Sequence, residues 1–338
     1  MLRVGIIGWG GMGTRHFSRY GRLKNAEVTA IADTQAERLC PGGGPVRTNL
    51  GANETGIDPE RHRLYTDPQE LIDDPGVDLV DICLPTFLHA EYMQKALRAG
   101  KHVLCEKPMA MSYAECRSVL EVAEQAPGKL MVAQCVRFFP AYEYLYETVR
   151  SGRLGRLLHL DMWRASTPPT WSWQNWLQKS DRSGGMILDL HVHDADFVHH
   201  LLGRPRAVCS TGAVGPTGGY DIVDTQYIYE QKMAVRAAAN AAMPPPFGFE
   251  AGYRVAFERG SLRYEASDEH GVTETTGEGV RHPELSPIDG YEKEIAYFVH
   301  CILNDEGPAM AEPESSAFSV RLVEAEKESI ETGRSVEL

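Results

Sequence analysis

The chain predicts an α/β protein whose first half is a doubly wound parallel sheet. Three observations carry this. "RVGIIG" (Arg3 to Gly8) is a β-branched run that ends in glycine; "GWGGMGTRHFSRYGRL" follows with a helical look, and "AEVTAIAD" (Ala26 to Asp33) is β-rich again. Strand, helix and strand within about 30 residues is the βαβ spacing. "VDLVDICLP" (Val77 to Pro85) is continuously apolar, as a strand covered on both faces must be. Helices "LHAEYMQKALRAG" and "SYAECRSVLEVAEQA" then alternate with strands "KHVLCEKP" and "KLMVAQC".

A length of 338 residues exceeds one typical core and fits two domains, divided here into 1–136 and 137–338. A hydrophobic fraction of 43% and a charged fraction of 24% are those of an ordinary globular protein. The net charge of −13 argues against nucleic acid and against an anionic membrane surface as partners, since both call for a basic stripe. The cysteines (Cys40, Cys83, Cys105, Cys116, Cys135, Cys209 and Cys301) are odd in number and scattered, with no C-x-x-C pair. That pattern favours a reducing compartment and no zinc module. With a strand at the very start and no long apolar stretch, the expected location is cytoplasmic.

The first turn carries Gly8, Gly10 and Gly13, a G-x-G-x-x-G after a strand and before a helix. The first glycine permits the tight turn, the second lets backbone approach a pyrophosphate, and the third lets helix and strand pack closely. The loop Gly8-Trp9-Gly10-Gly11-Met12-Gly13 is therefore a candidate dinucleotide cradle. Asp33 closes the second strand, where a carboxylate accepts from the adenosine ribose hydroxyls and repels a 2′-phosphate, which favours NAD over NADP. No arginine follows until Arg38. Asp33 also reads as a helix N-cap, and both roles are compatible. Ligands of such sheets sit beyond the carboxyl ends of the strands. This singles out Pro85, Thr86 and His89 in "PTFLH", and Glu106 and Lys107 in "EKP". Lys107 is either a ligand contact or a solvated loop cation. The stretch 40–63 is rich in Gly, Pro and Asn and reads as an irregular insertion without assigned role.

"GGMILDLHVHDADFVHH" (Gly184 to His200) is dense in histidine and aspartate. Ile187, Leu190, Phe197 and Leu201 fit a helix that ends at Gly203, with Pro205 beyond. Asp189 and His193 are four apart and share a face. A metal site is not supported: His200 lies at i+7 from His193, about 10 Å of rise away, too far to share an ion. For His191, His199 and His200 packing or exposure is the expected fate. "WRASTPPTWSWQNWLQKSDRSGG" holds Trp163, Trp171, Trp173 and Trp176; Pro168-Pro169 breaks any helix there. Trp171 and Trp173 read either as pocket walls for an apolar ligand face or as core. Arg137 follows the last strand of the first half and reads as a substrate contact or an interdomain salt bridge.

"GIIGWGGMG", "AIAD", "HAEYMQKALRAGKHVLCEKPMA", "RFFPAY" and "GGMILDLHVHDAD" together resemble the glucose–fructose oxidoreductase/inositol dehydrogenase (Gfo/Idh/MocA) family of nicotinamide-dependent sugar dehydrogenases. The resemblance implies an N-terminal Rossmann domain and a C-terminal α/β domain with a large, mostly antiparallel sheet. Strand-like runs such as "LLHLDMWRAS" and "AVRAAANAAM", and two amphipathic helical tails, agree with it. It implies a sugar, sugar derivative or inositol as substrate, NAD as cofactor, and a homodimer or homotetramer. It places the family's Asp-x-x-x-His on Asp189 and His193, making His193 the base, Asp189 its orienter and Lys107 the group that steadies the alkoxide. Two positions depart from the family: Pro85-Thr86-Phe87 stands for the usual Thr-Pro-Asn, and His191 for a glycine. A tightly held, recycled NAD in an isomerase- or lyase-like reaction, and a non-enzymatic NAD(P) sensor, share most of these features.

Overall fold

The computed structural model describes residues 1–40, 46–48, 51–53 and 56–338. The chain forms two compact units: residues 1–135 with 290–317, and residues 136–289 with 318–338. The first unit therefore takes in a segment, 290–317, that the sequence analysis assigned to the second domain. The reason is packing. Helix Gly290–Leu303 lies against helix Gly11–Tyr20. The Arg15 guanidinium sits 5.2 Å over the Tyr291 ring, and Arg22 pairs with Glu292 at 2.7 Å.

The first unit is built on six parallel strands. They lie in the order Arg63–Tyr65, Ala26–Ala32, Leu2–Ile7, Leu79–Ile82, His102–Glu106, Leu130–Ala133. Val4, Ile6, Ile7, Leu79, Val80, Ile82, Val103, Leu104, Met131 and Val132 are fully buried. Each contributes roughly 1.5–3 kcal/mol by leaving water. The strand order reverses between Leu2–Ile7 and Leu79–Ile82, the switch point at which such sheets bind ligands. Of the crossover helices, Tyr113–Ala123 is capped by a side chain, Ser112 accepting from the Glu115 amide. The stretch 40–63 is less irregular than expected. Val46–Thr48 pairs antiparallel with Gly51–Asn53, and an edge strand begins at Arg63.

The second unit holds nine strands in the order Gly279–Arg281, Val272–Thr276, Gly260–Glu265, Phe249–Phe257, Leu157–Ser166, Ala234–Asn240, Tyr220–Ile228, Ala207–Val214, Val336–Glu337. All neighbours are antiparallel except Leu157–Ser166 with Ala234–Asn240. Side chains alternate: Val223, Thr225 and Tyr227 are buried while Ile222 and Gln226 are exposed. Helices cover the buried face. Tyr253 donates to the Ala141 carbonyl of helix Pro140–Ser151, and the Ser210 amide donates to Ser329 of helix Pro313–Thr332.

Candidate active site

The glycine loop has the geometry its spacing predicts. Gly8 has φ +96°, and a Cβ there would stand 2.4 Å from the Cys83 carbonyl oxygen of the neighbouring strand end. A Cβ on Gly13 would stand 2.0 Å from the Gly8 oxygen. Both positions exclude any side chain. Gly10 differs: among the described residues a Cβ there would find only Arg38, at 3.9 Å, so the loop surface is open on that side. Helix Gly11–Tyr20 starts there without a side-chain cap. Met12 is half-buried. The Trp9 ring is fully buried, edge-on to Phe17 at 5.2 Å, so Trp9 offers only backbone to a ligand.

Asp33 accepts from the Trp9 amide and the Gln35 amide, each at 2.8 Å, which ties the second strand end to the glycine loop. Its turn-forming role is thus present, although the 3₁₀ helix Ala36–Leu39 has Gln35 as its own N-cap. Arg38, distant in the sequence reading, folds back to 3.7 Å from Asp33.

At the other strand ends, Pro85 is half-buried and Thr86 is buried, its hydroxyl without a partner among the described residues. His89 is enclosed, its ring nitrogens 2.8 Å from the Pro108 and Leu84 carbonyls. It braces the turn after Lys107 and has no surface to offer a cofactor, which corrects its assignment as a cofactor contact. Glu106 is buried and accepts from the Lys107 amide at 3.1 Å; Lys107 itself is half-buried. Gln134, which the sequence reading passed over, closes strand Leu130–Ala133 as a buried amide with neither end partnered among the described residues. The available signal was a polar residue capping an apolar strand. An open glycine, a tied carboxylate and orphaned buried polar groups beyond the carboxyl ends of the parallel strands fit a dinucleotide.

The histidine-rich segment is helical to Leu202, but its first turn, Ile187–His191, is a π-turn that joins the α-helix Val192–Leu202. Such wide turns recur at functional sites. It is set by Gly184 and Gly185, both at φ +77°, and by the Met186 amide donating to Asp221. Between Gly185 and Val198 only Asp189, Leu190 and His193 keep partial exposure. The other charged groups are spent on partners within the unit. Asp194 pairs with Arg164 at 2.9 Å, and Asp196 accepts from Arg137 at 2.8 Å and from Ser319. Arg137 is only 1% exposed, so this buried pair corrects its assignment as a substrate contact. His199 and His200 are half-buried against Phe318 and Tyr146, and burial holds both down to about 4, keeping them neutral. Trp173 is half-buried and Trp171 is 40% exposed.

His191 is neither loose packing nor exposed. It is fully buried, its Nε2 3.2 Å from Glu326, which also accepts from Tyr227 at 2.7 Å. Burial opposes a charge on His191, but Glu326 outweighs it, helped by Asp194 and opposed by Arg164, and holds its proton above the ordinary value. A histidine raised on folding contributes its stability fully below its unfolded value of about 6.5 and loses it as pH rises through the folded value. Removing one partner of a buried pair strands the other, at about 3–5 kcal/mol. His191→Ala is therefore expected to lose about 3 kcal/mol of stability. The loss should be greatest below pH 6 and shrink with rising pH, as read by denaturant titration; a stability unchanged at acid pH would leave His191 a packing residue only.

Comparison with known proteins matches this architecture. Residues 2–134 match the model of the oxidoreductase family with an NAD-binding Rossmann fold, and residues 142–263 match the GFO/IDH/MocA C-terminal domain. The chain is 27% identical to the myo-inositol 2-dehydrogenase of Thermotoga maritima, covering 100% of this chain and 98% of that protein. It is 29% identical to the 1,5-anhydro-D-fructose reductase of Ensifer adhaerens, covering 100% and 99%. A crystal structure of a probable dehydrogenase from Thermotoga maritima superposes with a TM-score of 0.81 at 26% identity, covering 99% of this chain and 98% of that one. Levoglucosan dehydrogenase in complex with NADH and levoglucosan shares the fold, with a TM-score of 0.82 at 21% identity over 99% of each chain. The glycine loop, the six-stranded parallel sheet and these matches agree, and the chain belongs to the GFO/IDH/MocA family of NAD-binding oxidoreductases.

Proposed function

We propose that this dehydrogenase oxidises a secondary alcohol of a sugar, sugar derivative or inositol with NAD. The observation that carries the reading is that Asp189 and His193 keep partial surface beside His191, Asp194 and Asp196, which are buried in ion pairs. Relatives named for inositol and sugar substrates support the substrate class. Oxidising a secondary alcohol removes a proton from oxygen and a hydride from carbon. His193 takes the proton as general base, and Asp189 orients the imidazole and stabilises its charged form. Lys107 holds the oxygen as it gains charge. The Gly8–Gly13 backbone holds the cofactor pyrophosphate, Asp33 the adenosine ribose, and the strand ends at Thr86 and Glu106–Lys107 flank the reacting end; the nicotinamide, when bound, supplies the hydride acceptor. Trp171, with its exposed indole, and half-buried Trp173 lie against sugar C–H groups.

Second copies of the chain cover the outer face of the nine-stranded sheet, where Ile222 and Arg236 keep surface. Light scattering at micromolar concentration should give a dimer or tetramer; a monomer mass there rejects this assembly.

Titration calorimetry should show NAD binding more tightly than NADP. Asp33→Ala should narrow the gap, because a 2′-phosphate no longer meets the carboxylate, and Arg38→Ala should widen it. NADP bound at least as tightly by the unmutated protein would overturn the preference.

His193→Ala and Lys107→Ala are each expected to lower kcat by roughly 10²–10⁴-fold, while NAD affinity changes little. Asp189→Asn should slow turnover with the fold intact. In a panel of sugars and inositols followed by NAD reduction, the oxidation rate should rise with pH, and that step should vanish in His193→Ala. Full activity of the His193 variant removes it as the base.

A further inference from the structure

The first unit buries a second charged cluster whose purpose the catalytic reading leaves open. His16, on helix Gly11–Tyr20 just past the glycine loop, has no exposed surface. Its Nδ1 lies 2.9 Å from Asp81 Oδ2, inside strand Leu79–Ile82, and its Nε2 lies 3.1 Å from Glu106 Oε1, at the end of strand His102–Glu106. Asp81 too is fully buried, and Glu106 nearly so. An imidazole with a carboxylate at each nitrogen needs a proton on both, because a neutral ring would turn one lone pair onto a buried carboxylate.

We propose that His16, doubly protonated between Asp81 and Glu106, is a positioning residue for Lys107: it occupies the Glu106 carboxylate so that the lysine ammonium is not drawn back onto it. The chain of contacts is short. Glu106 Oε1 lies at ion-pair distance from His16 Nε2, Glu106 Oε2 accepts from the Lys107 amide, and the Pro108 carbonyl beyond is held against His89. One side chain thereby links the helix that opens on the dinucleotide loop to the turn that carries the lysine. The inference deepens the reading of Lys107 given above and rests on it.

The charges around the cluster agree. Burial works against a proton on His16, but Asp81 and its neighbours outweigh it and hold the ring well above the usual histidine range. Burial likewise works against charge on Glu106, and His16 outweighs it, with Lys107 and His89 adding to the pull. Cys83, 3.6 Å from His16 Nδ1, is kept a thiol by burial and donates to Asp81 at 3.5 Å. Tyr20 and Glu294 face the same cluster. His16, Asp81 and Cys83 are also spaced so that they could surround a cation, but a 2.9 Å nitrogen–oxygen separation is that of a shared proton.

The experiment reads Lys107 directly and needs no substrate, so it stands apart from the assignment of the reaction. The full-length protein is acylated at one fixed pH with acetic anhydride, and the rate at Lys107 is followed by peptide mass spectrometry. His16→Asn should slow that rate by about tenfold, the effect of an opposite charge newly exposed beside an amine. In a Glu106→Gln background the same substitution should change nothing further. An unchanged rate, or two effects that simply add, would overturn the proposal, since a merely structural histidine predicts no such coupling. Should the variants not fold, nitrogen-15 spectra of the native protein at pH 8 decide. The imidazolium pattern at His16 is expected; a neutral ring, or a stoichiometric metal in the purified protein, overturns it.

Discussion

A buried charge must find a partner, and this one constraint organises both units. Stranding a buried ion costs several kcal/mol, a large part of a domain's whole stability. Yet the helical segment 187–202 carries Asp189, His191, His193, Asp194, Asp196, His199 and His200 into a largely buried setting. The fold answers residue by residue, with Glu326 for His191, Arg164 for Asp194 and Arg137 for Asp196. His199 and His200 stay neutral instead. Asp189 and His193 keep partial surface near the start of the segment, as His199 and His200 do at its end, and the Asp-x-x-x-His spacing makes the first pair the candidate for chemistry.

The same constraint acts in the first unit. Asp81 sits in the middle of an otherwise apolar strand, and Glu106 ends the next one. Two carboxylates at that depth repel one another, and His16 between them removes the conflict. The contacts connect the glycine-loop helix, the switch-point strand and the lysine turn through one side chain. A connection of that kind suits a site whose groups must be held within fractions of an ångström.

Glycine supplies the complementary constraint, through space rather than charge. Gly8 and Gly13 lie so close to neighbouring backbone that no other residue fits, whereas Gly10 leaves its side of the loop open. Close approach packs the helix onto the sheet, and the opening leaves room for a ligand. The two effects come from one motif and need different neighbours, which is why the G-x-G-x-x-G carries meaning only between a strand and a helix.

What the sequence determined by itself is local. The alternating strands and helices of the α/β half, the glycine turn and the helix ending at Gly203 follow from period and from residue conformation, which act over a few residues, whereas the edge strand Arg63–Tyr65 carried no such signal. Tertiary structure alone decided the partners. Glu326 is remote in sequence from His191, as Asp81 and Glu106 are from His16, and no periodicity announces such pairs. It also converted Arg137 and His89 from ligand contacts into buried braces, brought Arg38 back to Asp33, and returned residues 290–317 to the first unit. These outcomes depend on which faces meet when the chain condenses, a property of the whole packed core that no short window of sequence contains.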